Sequence, residues 1–132
     1  MPDYLLDTQH AAALWRNHHA VVARALAASG ATIHLCVPAA AELWYRVYDS
    51  AKSAENERTL REFLARFTLI EFDAAAANEF GRIKMELRKI GRPISDTDAQ
   101  IASIGKTRGL TVLTAEHHFA CVSGLKRENW MV

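Results

Sequence analysis

Short β-branched or apolar runs alternate with longer stretches of helical pattern along this chain, and that alternation limits the fold more than any other feature. "YLLD" (residues 4–7) reads as a buried strand ending in an acid, and "TIHLCVP" (32–38) as a second strand closed by proline. "TLIEF" (68–72) is the expected third strand, "LTVLT" (110–114) the fourth, and "LKRENW" (125–130) a candidate last edge strand. Strands interleaved with helices predict a single α/β domain over residues 1–132, with a mainly parallel central sheet of four or five strands flanked by helices.

The helical stretches have their own signals. "HAAALWRNHHAVVARALAASG" (10–30) is alanine-rich and stops at Gly30; Asn17 and the His18-His19 pair allow it to be two helices. Pro38 suits the first turn of a helix expected to run to about residue 53. Leu60, Phe63, Leu64 and Phe67 recur at amphipathic helical spacing. Asp73 is the expected N-cap of a helix over 74–90, whose inner stripe is Phe80, Ile83, Leu87 and Ile90 and whose outer face carries Arg82, Lys84, Arg88 and Lys89. "GRPISDTDAQIAS" (91–103) opens the next helix, which closes at Arg108-Gly109. "AEHHFACV" (115–122) is a turn or short helix.

Half of the 132 residues are apolar, enough for one core, and a formal net charge of +1 gives no global bias toward nucleic acid or membrane. Functional charge must therefore be local. Cys36 and Cys121 lack CxxC spacing and read as reduced, mostly buried thiols, which fits a cytoplasmic protein. The N-terminal residues carry no signal-peptide pattern, and no apolar run approaches the ~20 residues of a membrane span.

In a parallel α/β sheet, ligands bind beyond the carboxyl ends of the strands. Four acids fall at such positions: Asp7 after the first strand, Glu42 in the first turns of the helix after the second, Asp98 in the first turn of a later helix, and Glu116 just after the fourth strand. Each also has a bland reading. Asp7 is a good N-cap, Glu42 can be a solvated helix residue although its neighbours are apolar, and Glu116 can be a loop acid. Ser95-Asp96-Thr97-Asp98 resembles a capping box, with Asp96 favouring the helix dipole. As a cluster, four carboxylates would raise one another's pKa unless a hard divalent cation neutralised them; oxygen donors suit Mg²⁺ or Mn²⁺ rather than zinc. Metal-assisted phosphodiester hydrolysis is the chemistry that uses such a site. Zinc at His117, His118 and Cys121 lacks a four-ligand spacing.

The same residues carry a resemblance. The chain resembles PIN-domain ribonucleases nearly end to end, and most of all the VapC-type toxins of toxin–antitoxin pairs. "YLLDT" resembles the family's opening strand, "PAAAELWYRVYDSAK" its helix with the second acid, and "GLKRENW" its tail. "GRPISDTDAQIASIGKTRGLTVLT" looks like the pattern G-x-x-I-x-x-x-D-x-x-I-A-x…RGL-x-L-x-T, the longest and most specific match. The resemblance implies a PIN-like fold and an Mg²⁺- or Mn²⁺-dependent endoribonuclease that leaves a 5′-phosphate and a 3′-hydroxyl. By the same resemblance Asp7, Glu42 and Asp98 are the catalytic, metal-binding acids and Glu116 the fourth. Thr8 and Thr114 match supporting hydroxyl positions, and Asp96 is left as a capping or outer-shell residue. Gln9, Ala115, Glu116 and His118 depart from the pattern, the longer Glu116 standing where Asp or Asn is usual.

RNA needs positive charge beside the acids; Arg16, Arg46 and Arg92 are the chosen contacts from a wider set with Lys52, Arg82, Lys84 and Arg88. One histidine of the 117–118 pair is a candidate phosphate contact. The resemblance further implies a homodimer and a cognate antitoxin lying across the site. Trp15, Trp44, Tyr45 and Tyr48 are read as core residues, with a groove lining as the alternative. The rival functions are a catalytically weakened PIN-fold binding module and an α/β phosphatase using Asp7. The latter is disfavoured because "DTQ" lacks a D-x-D motif.

Overall fold

Two apolar runs more than 100 residues apart, Tyr4–Leu6 (β1) and Thr111–Leu113 (β3), lie side by side as the parallel centre of the sheet. Both are wholly buried, as strands covered on two faces must be. In the computed structural model, which describes residues 3–132, β2 (Ile33–His34) and β4 (Arg127–Glu128) flank them in the order β2-β1-β3-β4, every pairing parallel. The first two residues of the domain expected over 1–132 lie outside the described ones. Among the described residues six α-helices connect and cover the sheet: α1 (Thr8–Trp15), α2 (His19–Ala27), α3 (Val37–Tyr48), α4 (Ser53–Leu64), α5 (Ala74–Lys89) and α6 (Asp96–Arg108). Leu5, Leu35, Leu43, Leu60, Ile101 and Phe119 are among the fully buried side chains of the one core.

Local chemistry explains most of the boundaries. The alanine-rich stretch splits in two because Asn17 adopts a left-handed conformation, φ 59°. With it, Asn17 N–H donates to the Leu14 carbonyl and His18 N–H to that of Ala13, a Schellman ending for α1. Asp73 caps α5 through the Ala76 N–H, and Ser95 caps α6 through the Asp98 N–H at 3.2 Å. Gly109, φ 66°, ends α6. Gly105 lets α6 press onto β3: a Cβ there would stand 2.6 Å from Val112 Cγ2.

Several expectations are corrected. "TLIEF" is not a strand; only Ile70 bridges to Cys36, at the outer edge of the sheet where the segment is half-exposed. The helix containing Pro38 ends at Tyr48, not near residue 53. The Ser50 hydroxyl donates to the Val47 carbonyl and accepts from Asn56, competing with the next helical turn. Ile90 lies past the end of α5 and is 61% exposed, so the inner stripe stops at Leu87. Tyr45 and Tyr48 are exposed rather than core, while Trp15 and Trp44 pack against the core. Both cysteines are free, Cys36 buried and Cys121 partly so.

Candidate active site

The register of the two central strands builds the site. Leu6 pairs with Leu113, so both strands end at the same edge, and the Asp7 N–H donates to the Leu113 carbonyl at 3.1 Å. Asp7 leaves the sheet in extended conformation and caps α1, accepting the His10 N–H at 2.8 Å. It is 1% exposed, which is uncommon for an acid. From the other side of the sheet centre, the Thr114 hydroxyl accepts the Glu116 N–H at 3.0 Å and fixes the turn that presents Glu116. Glu42 comes from α3 and Asp98 from the first turn of α6.

A cavity of about 250 Å³ receives all four acids, Asp7, Glu42, Asp98 and Glu116, with Thr8, Gln9, Arg46, Ser95 and Thr97 completing its wall. Four carboxylates from four segments of the chain thus face one space at the C-terminal edge of a parallel sheet, where such folds bind ligands. Their donor chemistry, all oxygen, fits a hard divalent cation. The Thr8 hydroxyl beside them is buried with no hydrogen-bond partner among the described residues, as a group awaiting an ion, water or substrate would be. The acids surround the space rather than converge: among the described residues no three His, Cys, Asp or Glu side chains are gathered closely enough to hold an ion. Two of them are instead held by imidazoles, Asp7 by His10 at 3.1 Å and Asp98 by His118 at 2.8 Å.

Other sequence-level candidates distribute unevenly. Arg46 lines the cavity and donates to Gln9 Oε1 at 3.3 Å. Arg16 and Arg92 do not line it; Arg16 lies over the Trp15 ring at 4.8 Å. Asp96 also stays outside, paired with Lys84 at 2.8 Å on an exposed face. Thr114 supports the site through the Glu116 turn. His118 faces Asp98, an arrangement the sequence reading had not assigned to it.

Sequence reasoning missed Ser95 as a cavity wall because its capping role explained it, and missed Thr97 because nothing in the local pattern singled it out. It also missed His10, fully buried behind Asp7. The available signal was a polar residue one helical turn after a strand-end acid, on the face that Ala11, Ala13 and Leu14 mark as buried.

Comparison with known proteins identifies the family and the fold. A family model described as PIN domain matches residues 4–125. The chain is 38% identical over 88 residues to the tRNA(fMet)-specific endonuclease VapC of Shigella flexneri, covering 64% of this chain and 67% of that protein. It is 33% identical over 106 residues to Ribonuclease VapC2 of Rickettsia felis, covering 80% and 79%. Among solved structures, VapBC2 from Rickettsia felis bound to a promoter DNA fragment superposes with a TM-score of 0.88 at 30% identity, covering 97% of this chain and 98% of that one. DNA-bound VapBC from Salmonella typhimurium gives 0.89 at 26% identity, covering 98% and 99%.

Proposed function

The chain belongs to the PIN-domain family of VapC-type ribonucleases, and on that premise we propose that it is a divalent-cation-dependent endoribonuclease, the toxin half of a toxin–antitoxin pair. The observation that carries the reading is that Asp7, Glu42, Asp98 and Glu116 all line one cavity. Asp7, Glu42 and Asp98 would hold Mg²⁺ or Mn²⁺, with Glu116 as the fourth acid. Such a cation supplies charge neutralisation and Lewis acidity toward the phosphodiester.

The chain's own residues account for the rest. Arg46 brings positive charge to the acid-lined cavity and binds an RNA phosphate there. Ser95 and Thr97 present the N-terminal end of α6, whose dipole favours an anion. The unpartnered Thr8 hydroxyl and the carboxylates orient the attacking water. Water adds at phosphorus as the bond to the 3′-oxygen breaks, leaving a 5′-phosphate and a 3′-hydroxyl. Neighbouring structures are VapBC assemblies, and one is described as a member of the VapBC family of toxin–antitoxin systems, which supports an antitoxin partner for this chain. A homodimer is proposed on the family resemblance. No helix among the described residues is long and apolar enough to cross a membrane.

The test is purified chain, free of antitoxin, with Mn²⁺ and RNA, against Asp98→Asn. Two relatives are named for tRNA(fMet), so initiator transfer RNA is the first probe. Mn²⁺-dependent cutting that the substitution abolishes supports the nuclease; equal cutting by both proteins defeats it. A second reading, a PIN-fold module with weakened catalysis, draws on the ungathered acids and the engagement of Asp98 by His118. Tight RNA or partner binding without cutting would favour it.

A further inference from the structure

We infer that His10 is a positioning residue that ties the orientation of Asp7 to the C-terminal segment of the chain, an inference that rests on the reading of Asp7 as a cation ligand. The ring of His10 is wholly buried. Its Nε2 accepts the backbone N–H of Trp130, 120 residues away, at 3.0 Å. A backbone N–H can only donate, so Nε2 must carry a lone pair. The ring is then neutral and its proton sits on Nδ1. Nδ1 stands 3.1 Å from Asp7 Oδ1, an acceptor, so both contacts are satisfied by one tautomer and by no other.

The consequence falls on the carboxylate. Oδ1 of Asp7 receives two donors from the same residue, the His10 backbone N–H at 2.8 Å and the ring Nδ1–H. Oδ2 enters neither bond and is left for the cavity. The Trp130 end is itself anchored. Its ring packs on Tyr4 with centroids 4.7 Å apart, its indole N–H donates to Glu128 Oε1 at 3.1 Å, and Glu128 belongs to β4, paired to β3. One continuous set of contacts thus runs from the last strand through an imidazole to the first acid of the site. Groups that orient a metal ligand in this way commonly carry about 10- to 100-fold in metal affinity.

Two substitutions separate the two ends of the ring. His10→Asn keeps an amide donor near the Nδ1 position and removes the acceptor for Trp130. His10→Gln places an amide oxygen toward Trp130 and removes the donor to Asp7. Mn²⁺ affinity is measured by calorimetry without RNA, with thermal stability in parallel, and the wild-type tautomer is read from ¹⁵N NMR of the ring. We expect the Nδ1–H tautomer, a His10→Gln chain that folds but binds Mn²⁺ about 10-fold or more weaker, and a His10→Asn chain that loses stability yet binds more tightly than His10→Gln. An Nε2–H tautomer overturns the inference, and decides it even if His10→Gln does not fold. Equal Mn²⁺ affinity in all three proteins overturns the positioning role while leaving the cation site intact. A wild-type chain that binds no Mn²⁺ overturns the cation reading, and the positioning role with it, although the Nδ1–H tautomer would still be seen.

Discussion

The Nε2 of His118 stands 2.8 Å from Oδ2 of Asp98, and its Nδ1 lies 3.9 Å from Oε2 of Glu116, so one imidazole spans the third and fourth acids of the site. The ring stacks on Phe119, centroids 5.2 Å apart, and Phe119 is fully buried. His118→Ala is expected to weaken Mn²⁺ binding and RNA cutting about 10-fold, the usual effect of losing a group that orients a ligand. Thermal stability should move little, because the side chain is partly exposed. Calorimetric Mn²⁺ affinity equal to wild type would remove His118 from the site.

Arg46 is the cation that lines the acid cavity among the described residues, one helical turn beyond Glu42 on α3. Arg46→Ala should raise KM for RNA with little change in kcat, and should shallow the dependence of binding on log salt by about one unit. Arg16→Ala and Arg92→Ala, outside the cavity wall, should change the slope less. Binding titrations at several salt concentrations decide; an Arg92→Ala effect as large as that of Arg46→Ala would place the RNA on another face.

Gly105→Ala should destabilise the fold by about 1–3 kcal/mol, because the added Cβ overlaps Val112 Cγ2 in the α6–β3 contact. Gly81→Ala is the control: it lies on the exposed face of α5, nothing is within 4 Å of its added Cβ, and the change should stabilise by roughly 0.5–1 kcal/mol. Denaturant melts of both variants test the pair. Adding Val112→Ala to Gly105→Ala should cost less than the sum of the two single changes.

Burial pushes the Cys36 thiol from 9.0 up to about 11, outweighing the backbone hydrogen bonds that pull it down. In the native protein near pH 8, iodoacetamide should label Cys121 and spare Cys36. The raised value favours the folded state fully below pH 9. That contribution drains away between pH 9 and 11, as the unfolded thiol ionises and the folded one does not. Cys36→Ala should flatten this alkaline loss in chemical melts; an unchanged slope would mean that other groups govern it.

Much of the fold and of the candidate site was legible in the sequence because its signals were local. Alternating strand and helix periods identified the parallel α/β class, Ser95 and Asp73 marked helix starts, and Gly109 marked a helix end. Strand-end position alone nominated Asp7 and Glu116, and a first-turn position nominated Asp98. Asp98 proves to be both a member of a capped first turn and a wall of the cavity. Two failures were local, the early end of α3 at the Ser50 turn and Ile90 just past α5; the others depended on neighbours distant in sequence. "TLIEF" has the composition of a strand but meets a partner only at Ile70, and Tyr45 and Tyr48 have core-like side chains on a face left mostly exposed among the described residues.

Amino-acid order by itself determined which faces are apolar, where helices begin and end, and that acids would stand at strand ends, since each of these depends on residues within a few positions. Tertiary structure alone decided the pairing of Leu6 with Leu113 that sets Asp7 beside the Thr114–Glu116 turn. It also decided the reach of Trp130 back to His10, and the seating of His118 against Asp98. Strand register and buried side-chain contacts are chosen by packing summed over the whole core, where a shift of one residue turns every side chain to the opposite face. Local spacing carries no record of that sum.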